Sequence, residues 1–262
     1  GTNKIRIKSE GYPMDEIGLD DIQVDEAKFG KSSALIKGVV AKFLEKGYKI
    51  EGFDAYTVSN VLKGSGMSSS AAFEVIVGTI INYMFANGDI SDVEIAQIGQ
   101  YAENVYFGKP CGLMDQMACS VGNVIAIDFA STEKPVVEKI DFDFAKSGHA
   151  LCIIDTGADH ADLTDEYAAV KNEMISVAQR LGHNYLRDAD EAQFLNSIDL
   201  IRGVVGDRAI LRAIHFFAED QRAEDEKLAL KAGDFNEFLR LINESGNSSY
   251  KYLQNVNGCP QV

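Results

Sequence analysis

The chain has 262 residues, 46% of them hydrophobic and 25% charged, enough for one large domain or two modest ones with a core that needs no disulfide or metal staple. Its 25 basic and 40 acidic residues leave a net charge of −15, the wrong sign for a nucleic-acid binder or for attachment to an anionic membrane surface. The four cysteines, Cys111, Cys119, Cys152 and Cys259, form no C-x-x-C pair, and no run of about 18 apolar residues offers a membrane-spanning helix, so reduced thiols and a cytoplasmic location are expected.

Ile5 and Ile7 alternate with charged neighbours and predict a strand over Asn3–Lys8. Gly11–Glu26 is polar and acidic, contains Pro13, and reads as loop. Ile36, Val39, Val40 and Phe43 follow helical spacing, with Gly47 as the stop. Phe53–Val61 reads as a strand, Ser70–Ala86 as an apolar helix, and Ser91–Phe107 as a second helix started by Ser91. Short strands are expected at Asn123–Asp128 and Val136–Phe142, and a buried one at Ala150–Ile154. Helices then dominate, at Asp162–Leu181, Asp207–Lys231 and Asp234–Leu253. The sum is a mixed α+β chain with a division near residue 148, giving domains 1–148 and 149–262.

The stretch Lys63-Gly64-Ser65-Gly66-Met67-Ser68-Ser69-Ser70-Ala71-Ala72 joins two glycines and four serine hydroxyls to the start of a helix. Glycine lets backbone approach a ligand, serines cap helices, and a helix N-terminus favours an anion. These are the parts of a phosphate cradle, although a Gly/Ser turn that only starts a helix has the same composition. It is neither a Walker A loop nor a dinucleotide fingerprint.

A second stretch runs from Ala102-Glu103-Asn104 through Gly108, Pro110 and Gly112 to Asp115-Gln116. Asp115 stands among Leu113, Met114, Met117 and Ala118, and an acid buried there would need a partner or a job. Alone, Asp115 also suits a helix cap and Glu103 a solvated helix face.

Together the two stretches resemble the GHMP kinase superfamily and, within it, the galactokinases. Gly64–Ala71 matches the Gly-x-Gly-Leu-Ser-Ser-Ser-Ala phosphate loop with Met67 for Leu. Cys111–Gln116 matches Cys-Gly-Ile-Met-Asp-Gln with Leu113 for Ile, and Ala102–Asn104 matches the preceding Ala-Glu-Asn/His. Weaker similarity continues through Asp155-Thr156-Gly157, Tyr167, Arg212, His215, Glu219 and Arg222. The resemblance implies a ribosomal-S5-like N-terminal domain and a ferredoxin-like C-terminal domain, both incomplete, with the activity of a galactokinase: ATP- and Mg²⁺-dependent phosphorylation of galactose at C1. It implies that Gly64, Ser65, Gly66, Met67, Ser68, Ser69 and Ser70 wrap the ATP phosphates. Ser70 and Glu103 would hold Mg²⁺, Asp115 would act on the sugar hydroxyl, and Tyr167 would contact the sugar.

Related kinases for N-acetylgalactosamine or arabinose share both motifs. A silent, sugar-sensing paralogue is a further alternative, against which the intact Ser68–Ala72 run and Asp115 count. Two family motifs are not present: an N-terminal Gly-Arg-x-Asn-x-x-Gly-Glu-His-Thr-Asp type and a glycine-rich C-terminal one. The sequence is therefore expected to be a central portion of such an enzyme, with weak or no turnover by itself and a dimer formed through exposed strand edges.

Overall fold

In the computed structural model of the chain, the residues described are 3–61, 67–131, 133–154 and 164–256, with the side chains at 164, 165 and 167 left out. The alternation in β1 (Lys4–Ser9) does what its period requires. Ile5 and Ile7 are buried, while Arg6 faces out and makes a two-pronged ion pair with Asp54. β1 is the central strand of a three-stranded sheet, antiparallel to β2 (Met14–Gly18) and parallel to β3 (Asp54–Thr57). β2 lies in the segment whose composition reads as loop. Its one buried apolar residue is Ile17, opposite Ile5, so pairing with β1 creates a strand that its own pattern does not announce. β3 is shorter than the run Phe53–Val61.

Helix α1 (Ser32–Glu45) buries Ile36, Val39, Val40 and Phe43 on one face, as the spacing predicts. α2 (Ser69–Phe85) and α3 (Asp92–Tyr101) pack with it against the sheet, contributing Val75, Val77, Ile81, Ile95 and Ile98 to one core. The turn between α2 and α3 is closed by Asn82, whose side chain exchanges two hydrogen bonds with the Ile90 backbone (2.9 and 3.1 Å). Ser91 and Glu94 form a capping box.

The predicted single helix 91–107 changes character at its end. After α3, Ala102–Phe107 is π-helical and ends on Gly108 at φ +77°. An extra residue per turn at such a place commonly marks a functional site. α1 runs tight against this segment. A Cβ at Gly38 would lie 2.7 Å from both Cα and Cβ of Ala102, so only glycine lets the two backbones approach. α4 (Met114–Val121) completes this part of the chain.

The chain divides into two compact units, Gly1–Ile127 and Asp128–Val262. β4 (Val124–Asp128) and β5 (Val136–Ile140) form a two-stranded sheet, and the division falls inside β4. The residues between this division and the expected one at 148 join the second unit for visible reasons. Lys231 pairs with Glu138, Phe142 stacks on Phe235 and Phe144 meets it edge-on, and Phe235 in turn stacks with Phe238.

The second unit is a helical bundle of α5 (Thr164–Arg180), α6 (Glu191–Val205), α7 (Asp207–Ala232) and α8 (Phe235–Ser248), followed by a π-helical turn, Ser249–Leu253. Its core includes Val177, Leu181, Phe194, Ile201 and Ile210. α6 is absent from the sequence-based expectation, although Asp190 caps its first turn through Ala192 N and Gln193 N.

The family-like residues of α7 are structural. The buried Arg212 guanidinium donates to Glu173 (2.9 Å) and to the Leu253 carbonyl (3.1 Å), and His215 meets Ser248 (2.9 Å). Burial lowers the His215 pKa and keeps it neutral. The buried strand expected at Ala150–Ile154 is not found. Leu151 is 92% exposed and Ile154 82%, and no described residue pairs with this run. A short apolar run has no period of its own, and without a ladder partner it is not a strand.

Gly38→Ala is expected to destabilise the first unit by about 1–3 kcal/mol, because the added methyl meets backbone. Gly246→Ala, in an open exposed stretch of α8, is expected to be neutral or stabilising by about 0.5–1 kcal/mol. Thermal unfolding of the two variants, with opposite displacements of the midpoint, checks the pair.

Candidate active site at the head of α2

α2 begins without a side-chain cap. Ser68, in the N-cap position, adopts left-handed backbone (φ 53°, ψ 48°), a conformation that costs a non-glycine residue roughly 1 kcal/mol. The serines expected to cap the helix spend their hydroxyls elsewhere. Ser68 Oγ donates to the Asp115 carboxylate, and Ser70 Oγ donates to Glu103 Oε1 at 2.9 Å. Two hydroxyl–carboxylate pairs therefore stand two residues apart at the start of a helix whose first-turn N–H groups have no partner within the helix.

The two carboxylates sit in opposite environments. Asp115 is not buried among apolar neighbours as its sequence surroundings suggest: Asp115, Met114 and Ala118 are exposed, while Leu113, Gln116 and Met117 face inward. Helical periodicity in α4 explains the split, since Leu113, Gln116 and Met117 recur at i, i+3 and i+4 on the inner face and leave Met114, Asp115 and Ala118 on the outer one. Nor does Asp115 cap α4, whose N-cap is Leu113. Its carboxylate lies in the first turn, a position the helix dipole favours. Glu103, which alone suits a solvated face, is only 2% exposed.

A buried carboxylate needs partners, and Glu103 has three. Oε1 accepts from Ser70 and lies 3.6 Å from the Lys109 ammonium; Oε2 accepts from Gln116 Nε2 at 2.9 Å. The same Nε2 donates to Glu74 Oε2 at 3.1 Å. Glu74 is 1% exposed, and its Oε1 and Gln116 Oε1 have no hydrogen-bond partner. Burial, then the charge of Glu103, raises the Glu74 pKa to about 8. Burial therefore favours the neutral, protonated form of Glu74 at neutral pH. Cys111, whose Sγ is 3.5 Å from the Gln116 amide, is pushed up to about 12, first by burial and then by Glu103, so it is a neutral thiol. The Asn104 side chain fixes the Cys111 backbone N–H at 2.7 Å.

The structure brings Ser68, Ser70, Glu103 and Asp115 together, with Met67 and Ser69 flanking. Gly64, Ser65 and Gly66 lie outside the described residues, as does the side chain of Tyr167. Sequence reasoning missed Glu74, Lys109 and Gln116. For Glu74 a signal exists: it is a lone acid inside Ala71-Ala72-Phe73-Glu74-Val75-Ile76-Val77. Among the described residues no cluster of three His, Cys, Asp or Glu forms a ready metal cage, and no helix is long and apolar enough to cross a membrane.

The raised pKa of Glu74 carries a stability prediction. The contribution of this group is full below pH 4.5, where both folded and unfolded forms are protonated. It is lost as pH rises towards about 8, by an amount on the order of 5 kcal/mol. Glu74→Gln should therefore gain on the wild type progressively between pH 5 and 8 in thermal unfolding. A difference independent of pH would contradict it.

The profile of the GHMP kinases N terminal domain matches residues 34–123, a span that includes α1 to α4 and both hydroxyl–carboxylate pairs. The galactokinase of Streptomyces coelicolor is 31% identical over 263 residues, covering 98% of this chain and 65% of that protein. The galactokinase of Clostridium tetani is 29% identical, covering 98% of this chain and 64% of that protein. The crystal structure of Lactococcus lactis galactokinase complexed with galactose superposes with a TM-score of 0.73 at 24% identity, over 95% of this chain and 64% of that one. The chain thus spans just under two thirds of the length of these relatives. The chain shares the fold of that galactokinase structure over 95% of its residues, and its segment 34–123, which carries both hydroxyl–carboxylate pairs, matches the GHMP kinases N terminal domain.

Proposed function

We propose that the activity to which this site belongs is ATP- and Mg²⁺-dependent phosphorylation of galactose at its C1 hydroxyl. The observation that carries the reading is the pairing of Ser70 with a buried Glu103 beside the pairing of Ser68 with an exposed Asp115. The sugar is taken from the relatives, which are galactokinases at about 30% identity along nearly the whole chain.

The Ser70 hydroxyl and Glu103 carboxylate fit Mg²⁺, a hard cation that takes one or two protein oxygens and completes its shell with water and phosphate. Bound there, the ion would neutralise charge on the phosphates. The open N–H groups of the first turn of α2 suit phosphate oxygens, and Gly64, Ser65, Gly66, Met67, Ser68 and Ser69 are assigned to the same phosphates. Lys109 adds a positive charge beside Glu103 in a chain of net charge −15. Asp115 is accessible, as a group must be that meets a second substrate. It accepts or orients the proton of the C1 hydroxyl while that oxygen bonds to the γ-phosphorus. The bond from the γ-phosphorus to the β–γ bridging oxygen breaks, and ADP leaves. Ser68 holds the carboxylate from the side of the phosphate loop. Tyr167 is assigned to the sugar. Sugar and ATP are thus the partners, without nucleic acid or membrane, and the cytoplasm is the location. β2 and β3, the outer strands of the sheet, are the edges through which a dimer would form.

Asp115→Asn is expected to lower kcat by about 10²–10⁴-fold with ATP binding nearly unchanged, read by coupled ADP release and by nucleotide titration. Normal turnover would remove Asp115 from the chemistry. Ser70→Ala is expected to weaken binding of Mg²⁺-ATP; an unchanged affinity would remove Ser70 from the metal site. A sugar panel in the same ADP-release assay, with galactose preferred, tests the substrate.

A further inference from the structure

Three elements converge on one nitrogen. Gln116 on α4 is buried, and its Nε2 reaches Glu103 Oε2 from the π-helical segment (2.9 Å) and Glu74 Oε2 from α2 (3.1 Å). The two oxygens of Glu103 are thereby assigned separate tasks. The inner one, Oε2, is held by the amide; the outer one, Oε1, faces Ser70 at 2.9 Å and Lys109 at 3.6 Å. A fourth element closes the cluster. At Gly99 on α3 a Cβ would stand 3.2 Å from Glu74 Oε2 and 3.3 Å from Gln116 Cγ, so glycine there lets α3 pack closely over the pair.

An isolated carboxylate rotates about its last torsion, a broad and nearly two-fold one, and would share its oxygens between inside and outside. One amide proton on Oε2 removes that freedom. The other proton on Glu74 keeps the amide from turning, so the pair acts as a brace rather than as a single contact.

We infer that Gln116, braced by Glu74, is a positioning residue that pins the inner oxygen of Glu103 and so keeps its outer oxygen aligned with the Ser70 hydroxyl for a divalent cation. This rests on the metal–nucleotide reading of the site. Outer-shell partners of metal-ligating carboxylates typically govern affinity by 10–100-fold, and the same range is expected here.

The test uses the full chain and two readouts, thermal unfolding and Mn²⁺ binding in the presence of saturating ATP. Gln116→Leu is expected to raise the Mn²⁺ dissociation constant about 10–100-fold, and Glu74→Leu to raise it less. Glu74→Gln retains an acceptor for the Gln116 amide and is expected to stay near the wild type. Should Gln116→Leu not fold, Gln116→Asn, one methylene too short to reach both acids, carries the same comparison. A folded Gln116 variant with wild-type Mn²⁺ affinity, or a loss equal in Glu74→Gln and Glu74→Leu, overturns the inference. Absence of ATP-dependent Mn²⁺ binding in the wild type overturns instead the functional reading, and this inference with it.

Discussion

The hydrogen bond from Ser70 to Glu103 is the constraint around which the first unit is arranged. It joins a helix start to a carboxylate buried behind it, and a buried charge is tolerated only when its oxygens are satisfied. Each neighbouring feature serves that need. The π-helical turn at Ala102–Phe107 carries Glu103, and glycine at position 38 lets α1 press against that turn. Gln116 takes the inner oxygen, Glu74 holds Gln116, and Lys109 stands at the outer oxygen.

The same geometry separates two tasks that the sequence places side by side. Ser68 and Ser70 are two residues apart and on opposite sides of the helix start, so one hydroxyl reaches the exposed Asp115 and the other the buried Glu103. Exposure suits a carboxylate that must meet an incoming hydroxyl. Burial suits one that must present a fixed oxygen. The protonated state of Glu74 at neutral pH belongs to this economy of charge, because a second ionised acid beside Glu103 would oppose it in a low-dielectric interior.

Much of this was legible in the sequence, and the remainder was hidden for physical reasons. The alternation of Ile5 and Ile7 and the spacing of Ile36, Val39, Val40 and Phe43 gave β1 and α1 directly, since one-sided burial writes its period into the residues. The Gly/Ser run and the Cys111–Gln116 run marked the site through resemblance. β2 was illegible because its strand character comes from its neighbour. Ala150–Ile154 misled because apolar composition without a pairing strand does not make a strand. The burial of Asp115 does not follow from its apolar neighbours in sequence, because on α4 the inner face is set by the i, i+3, i+4 spacing of Leu113, Gln116 and Met117. Gln116 could not be read at all, because its role arises only where α2, α4 and the π-helical turn meet.

In the proposed function the buried Glu103, with Ser70, couples nucleotide binding to a divalent cation. The most direct measurement is ATP binding to the 262-residue chain with and without Mg²⁺, comparing the wild type with Glu103→Gln. Mg²⁺ should tighten binding by about tenfold or more in the wild type and have little effect in the variant, because the amide removes the charge and one of the two acceptor oxygens. Equal tightening in both proteins would contradict the assignment of Glu103.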